Sequence, residues 1–185
     1  MEITLHLSKT ELEAGLDYIR QSPKDGGEIK MIARRPADDE RETIQSATLD
    51  LDLGLVGDNW KSRGSKHSPD GSANVEAQIT LMNARVIELI AQSEDRWALA
   101  GDQLYVDMDL SEENVPAGTR LTIGSAEVEI SSQPHTGCRK FSARFGVEAH
   151  KFVNSKEGSP LRLRGVNARV IKSGEIRVGD VVRKG

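Results

Sequence analysis

Cys138 is the only cysteine in the 185-residue chain, and it stands in a cationic run, His135-Thr136-Gly137-Cys138-Arg139-Lys140-Phe141, with Arg144 close behind. A lone thiol makes neither an internal disulfide nor a multi-cysteine metal site. It can act as a nucleophile, carry a persulfide, or serve as one ligand to a soft metal. Each role needs the thiolate, which a positive surround favours. The competing reading is a buried free cysteine behaving as a small apolar residue. Such a residue usually sits among apolar neighbours, not between a glycine and an Arg-Lys pair. His135, three residues ahead, can form a Cys–His pair if the loop folds back.

The charge pattern points the same way. Net charge is −4, yet residues 1–134 hold 13 Lys/Arg against 25 Asp/Glu, while residues 135–172 hold 9 Lys/Arg against Glu148 and Glu157. A positive field on a negative body suits a discrete anionic ligand. It suits an extended duplex less well, because the remaining surface repels phosphates. Aromatics are only 4% of the chain, which leaves few platforms for stacking single strands. No nucleic-acid partner is therefore expected. The alternative is that these cations pair across the fold with the acidic N-terminal part.

Arg139, Lys140, Arg144, Arg162 and Arg164 are the nearest candidates for phosphate contacts, arginine being suited to planar, bidentate ones. Arg162 and Arg164 would share a face if Arg162-Leu163-Arg164-Gly165 were a strand. Asp58, Asp102 and Asp180 each follow a glycine and read mostly as turn residues; of the three, Asp58 is the site candidate. His67 reads as a surface-loop residue, and His6 and His150 as structural.

The elements that must position these groups are short. Glu2–Leu7 alternates like a half-buried strand. Ser8-Lys9-Thr10-Glu11 is a capping box opening a helix through about Ile19, and Ser22–Gly27 is a turn. Glu28–Ala33, Thr43–Leu51, Glu76–Met82 and Leu104–Met108 read as strands. Asn83 caps a helix through about Gln92. Leu121–Ile123 and Glu127–Ser131 form a hairpin around Gly124-Ser125, followed directly by the cysteine loop. Lys140 to Lys151 reads as helical, with Phe141, Phe145 and Phe152 packing inward. Leu161–Arg164 and Val166–Ile171 are strand candidates, and Ile176–Val182 contains a Gly179-Asp180 turn. The fold class is mainly β with a few short helices, a closed or nearly closed β-barrel.

Several blocks resemble, in order, those of a MOSC domain. They are Gly54-Leu55 with Gly57-Asp58, Gln78–Asn83 entering a helix, Gly101-Asp102-Gln103-Leu104, Gly118–Gly124, Cys138-Arg139-Lys140, and the closing Arg164-Gly165-Val166 to Val178-Gly179-Asp180. The resemblance spans roughly residues 28–184, giving a strand-helix extension over 1–27 and a barrel domain over 28–185. Two departures stand out. Gly57-Asp58-Asn59-Trp60 lacks the histidine of a Gly-Asp-x-His pattern, and Gly137-Cys138 stands where many members have Pro-Cys.

The resemblance implies a β-rich barrel whose functional cysteine is Cys138. In some members that cysteine is thought to carry a persulfide received from a pyridoxal-phosphate-dependent desulfurase. In others it ligates molybdenum held by a pterin cofactor, molybdopterin, and the protein reduces N-hydroxylated compounds. The expected site residues are Cys138 as catalytic group and metal ligand, with Arg139, Lys140, Arg144, Arg162, Arg164, His135 and Asp58 around the anionic pterin. A cysteine desulfurase or an electron-donor protein is the expected partner. Three readings stand: a cofactor-dependent sulfurtransferase or oxidoreductase, a sulfur carrier without retained cofactor, and an anion-binding module in which Cys138 is incidental. No apolar run approaches the roughly 18 residues of a membrane span. The first residues, Met-Glu-Ile-Thr-Leu-His-Leu, lack a basic segment followed by an apolar core. No membrane partner and a cytoplasmic location are therefore expected.

Overall fold

The computed structural model describes residues 5–185. Eleven strands are present among them: β1 (Gly27–Arg34), β2 (Glu42–Ile44), β3 (Ser46–Asp50), β4 (Gly54–Leu55), β5 (Ile79–Asn83), β6 (Leu104–Val106), β7 (Arg120–Ile123), β8 (Ala126–Ile130), β9 (Val166–Lys172), β10 (Gly174–Arg177) and β11 (Val181–Lys184). The helices are short: α1 (Lys9–Ala14), α2 (Leu16–Arg20), α3 (Trp60–Arg63), α4 (Ala84–Ala91), α5 (Arg139–Phe145) and α6 (Val147–Val153).

Seven strands close a barrel in the order β1-β11-β7-β8-β9-β5-β6 and back to β1, with β2 extending from β1. Closure rests on the β1–β11 pair, Gly27 opposite Val182 and Glu28 opposite Val181. Within the barrel β5–β6 is the parallel pair, and α4 lies in its crossover as parallel geometry requires. A second small sheet has the order β10-β3-β4.

The apolar residues divide into two cores. Alternating side chains such as Leu81, Leu104, Leu121, Val128 and Ala168 fill the barrel. The register of β1 against β6 shifts between Ile29 and Met31. A bulge of this kind lets Ile29 and Ile32 both face the barrel while Met31 and Ala33 face out. Those outward residues, with Met82 and Tyr105, form a floor for the outer core, where Leu12, Leu16 and Ile19 of the N-terminal helices meet α4, α5 and α6.

Several expectations hold with shorter bounds. The capping box at Ser8 is formed in both directions, but the helix breaks at Gly15, where a side chain would run into Leu89. The helix expected over 140–151 is likewise two helices, separated at Gly146 (φ +97°). Thr43–Leu51 splits into β2 and β3, which belong to different sheets. The expected first strand falls partly on residues 1–4, outside the described residues, and Leu5–Leu7 carry no strand. Leu161–Arg164 is a run of turns, not a strand, and Arg162 has φ +50°. Arg162 and Arg164 therefore do not share a strand face.

Candidate functional site

Cys138 is exposed and forms the N-cap of α5, its carbonyl accepting from the Ser142 N–H at 3.1 Å. It lines a cleft of about 490 Å³ at one edge of the barrel. The cations on the cleft come from both ends of the chain. Arg35 and Arg41 bracket the loop between β1 and β2, Arg63 and Lys66 lie at and after the end of α3, Lys140 and Arg144 lie on α5, and Arg164 precedes β9. Two carboxylates, Asp38 and Asp39, line the cleft with them, and two of the seven, Arg35 and Arg164, are paired with the buried carboxylates of Asp58 and Asp102.

The guanidinium groups crowd one another. Burial, then the like charges of Arg144 and Arg35, pushes Arg41 below the usual arginine range. Burial and then Arg35 do the same to Arg63. The Nε of Arg41 is buried with no hydrogen-bond partner among the described residues. A buried unpaired donor is costly.

Behind the cleft lies a buried Asp102 flanked by two partners. Its Oδ1 takes a hydrogen bond from His135 Nε2 at 2.9 Å, and its Oδ2 takes one from Arg164 Nη1 at 2.5 Å. Burial alone would raise the Asp102 pKa, but the charges of Arg164 and His135 override it and hold it at about 2. His135 moves down from its ordinary value, first through burial and then through Arg164, so it is neutral near pH 7. Arg164 is thus the charge partner, while His135 uses Asp102 to fix its tautomer with the proton on Nε2. Arg164 also donates to the Ala100 carbonyl at 2.7 Å and lies over the Phe141 ring at 5.0 Å. Gly165 (φ +120°) has no room for a side chain, because a Cβ there would meet the Leu81 carbonyl at 2.4 Å and His135 Cδ2 at 3.2 Å.

The structure gathers Cys138, His135, Lys140, Arg144 and Arg164 around one cleft and leaves the other named residues outside it. Arg139 is exposed at the start of α5 and takes no part in the cleft wall. Arg162 serves the fold, donating to the Val115 carbonyl at 2.6 Å. The Asp58 side chain is fully buried: its carboxylate accepts from the Arg35 side chain at 3.2 Å, from the Arg35 N–H at 2.7 Å and from the Trp60 N–H at 3.0 Å. It orients Arg35 and does not itself line the cleft. Asp102, read as a turn residue, is instead the buried anchor of the site. Arg35, Arg41, Arg63 and Lys66 were not singled out from sequence, since they lie in the half that is acidic overall. The available signal was local: Arg34-Arg35-Pro36 and Arg41 bracket one polar loop, and Lys61, Arg63 and Lys66 border another.

A larger groove of about 580 Å³ runs between α1 and α6. Its lysines Lys9, Lys151 and Lys156 are balanced by Glu13, Glu148 and Glu157, and it holds no thiol. The smaller cleft is therefore the functional candidate. Among the described residues, no cluster of three or more His, Cys, Asp or Glu side chains could hold a metal ion. A metal at Cys138 would have to bring most of its ligands with it.

A β-barrel carrying an exposed thiol beside a cationic cleft agrees with the sequence comparison. The chain matches the MOSC domain family over residues 67–183 and belongs to that family. Among solved structures it is similar to the YUAD protein from Bacillus subtilis, with TM-score 0.58 and 13% identity over 84% of this chain and 93% of that one. It is also similar to YiiM from Escherichia coli, with TM-score 0.55 and 16% identity over 85% of this chain and 69% of that one. A hypothetical protein aligns with TM-score 0.58 and 18% identity over 90% of this chain and 70% of that one. At these identities the likeness is one of fold. No curated protein matches the sequence. No helix among the described residues is long and apolar enough to cross a membrane.

Proposed function

We propose that the cleft binds a phosphate-bearing pterin molybdenum cofactor and that Cys138 is its thiolate ligand, in a sulfurtransferase or oxidoreductase. The observation that carries this reading is an exposed thiol in a cleft where five cationic side chains, Arg41, Arg63, Lys66, Lys140 and Arg144, make no ion pair among the described residues. Arg41 and Arg63, with Arg35, Lys66, Lys140 and Arg144, would hold the phosphate. A charge-assisted hydrogen bond is worth about 1.5–3 kcal/mol, so two or three such contacts would supply much of the affinity. Cys138 offers a soft ligand to a metal whose other ligands belong to the pterin. Bound there, the cofactor would supply a redox-active, sulfur-ligated metal. The chain's own part is to neutralise the phosphate, present the thiolate, and keep His135 neutral with one ring nitrogen fixed on Asp102.

The exposure of Cys138 also favours a second reading, a sulfur carrier. A thiol that accepts a persulfide from a pyridoxal-phosphate-dependent desulfurase must be reachable by that partner, and an electron-donor protein would need similar access. Metal and pterin analysis of protein purified from cells making molybdenum cofactor, beside Cys138→Ala, tests the first reading. Near-stoichiometric molybdenum and pterin in the wild type, with molybdenum lost in Cys138→Ala, is the expected result. No cofactor in either sample would overturn it and leave persulfide mapping on Cys138 to test the second.

A further inference from the structure

The peptide groups of Gly137, the residue before Cys138, are held from outside the cysteine loop. The Gly137 N–H donates to Asn154 Oδ1 at 3.0 Å, and the Gly137 carbonyl accepts from Asn154 Nδ2 at 3.3 Å. His150 Nε2 lies 3.2 Å from the same carbonyl. Asn154 is the C-cap of α6 and His150 sits one turn earlier, so one helix end grips both faces of this residue. The fit is close: a Cβ on Gly137 would meet Asn154 Nδ2 at 3.1 Å, Val153 Cγ2 at 3.1 Å and His150 Cδ2 at 3.2 Å.

The rest of the loop is held as firmly. Asn167 Nδ2 lies within hydrogen-bond distance of the Gln133 and Pro134 carbonyls, at 3.1 and 3.2 Å, and His135 is fixed on buried Asp102. Beyond it, the Cys138 carbonyl is already part of α5. The thiol itself has no hydrogen-bond partner among the described residues, so its direction is set by the backbone on either side of it. Preorganisation of this kind suits a group that acts from one place.

We propose that Asn154, assisted by His150, is a positioning residue that fixes Cys138 against the cationic cleft, so that Cys138 works from a set position and not by swinging out. The inference rests on the reading of Cys138 and the cleft as one site. It does not depend on which anionic ligand the cleft takes.

The test is alkylation of Cys138 in the full-length protein without cofactor, using anionic iodoacetate and neutral iodoacetamide in parallel. A thiol held against cationic walls favours the anionic reagent, because the local field raises its concentration there. Asn154→Ala removes both side-chain bonds to Gly137, and Gly137→Ala crowds the same contact from the other side. The expected result is that both variants lower the iodoacetate-to-iodoacetamide rate ratio by about threefold or more, with the thermal midpoint little changed. An unchanged ratio in both variants overturns the proposal. So does an equal rise in both rates accompanied by a large drop in thermal midpoint, which would mark Asn154 as a fold residue only. Because no cofactor is present, failure here is separate from failure of the cofactor reading, which metal analysis decides.

Discussion

Asp102 and His135 together make the site respond to acid. The Asp102 carboxylate is held at about 2, so its stabilising contribution is complete above the ordinary carboxylate range near 4 and is lost as pH falls toward 2. His135 is also shifted down. The unfolded chain therefore takes up a proton on this histidine first, and stability declines as pH drops below about 6.5. Both groups act in the same direction. The thermal midpoint should fall between about pH 7 and about pH 5, where only the histidine contributes. In His135→Gln, which keeps a donor for Asp102 without a titrating ring, that fall should be smaller; an identical slope would remove His135 as its cause. Cys138, His135, Lys140, Arg144 and Arg164 were legible as site candidates because they are close in sequence. The role of Asp102 was not, because a Gly-Asp pair looks the same whether the carboxylate faces water or, as here, is fully buried.

At the scale of elements, strands with strict alternation were legible, as in the β7–β8 hairpin, and so was the Asn83 cap, whose side chain accepts from the Arg85 N–H at 3.0 Å. Breaks within elements were not. Gly15 and Gly146 interrupt helices for reasons of crowding and backbone sign that depend on distant packing, against Leu89 in one case and His6 in the other. Leu161–Arg164 has an alternating pattern but folds as turns, and its arginines go to unrelated partners. The N-terminal helices read as an extension, yet Leu12 is fully buried in the same outer core as α5 and α6. Leu12→Ala should cost about 2–5 kcal/mol of stability by denaturant titration, as deleting a buried leucine generally does. A loss near zero would show that α1 is a dispensable cover over the helices that carry Cys138.

At the scale of the whole molecule, the acidic half and the basic stretch of the sequence are not separate surfaces. Folding places Arg35, Arg41, Arg63 and Lys66 from the first part opposite Lys140 and Arg144 from the second. Only the second group stood out in the charge pattern, because the first is outnumbered locally by Asp and Glu. Inorganic pyrophosphate, as a probe of the cleft, should bind with an affinity that falls as ionic strength rises from about 0.01 M to about 0.1 M, over which the Debye length shrinks from about 30 to about 10 Å. Arg41→Ala should weaken that binding about tenfold or more by calorimetry, the equivalent of one charge-assisted contact; unchanged affinity would place the anion elsewhere.

The pairing of Glu28 with Val181 has a temporal side. Synthesis must run through β11 before β1 finds its neighbour on that side, and until then β1 and β7 each present an open edge. Contacts this far apart in sequence form slowly, and unpaired edges are where chains join the wrong partner. The interval between making the first strand and sealing the ring is therefore when a growing chain is most exposed to aggregation, and when a chaperone would have the most to protect.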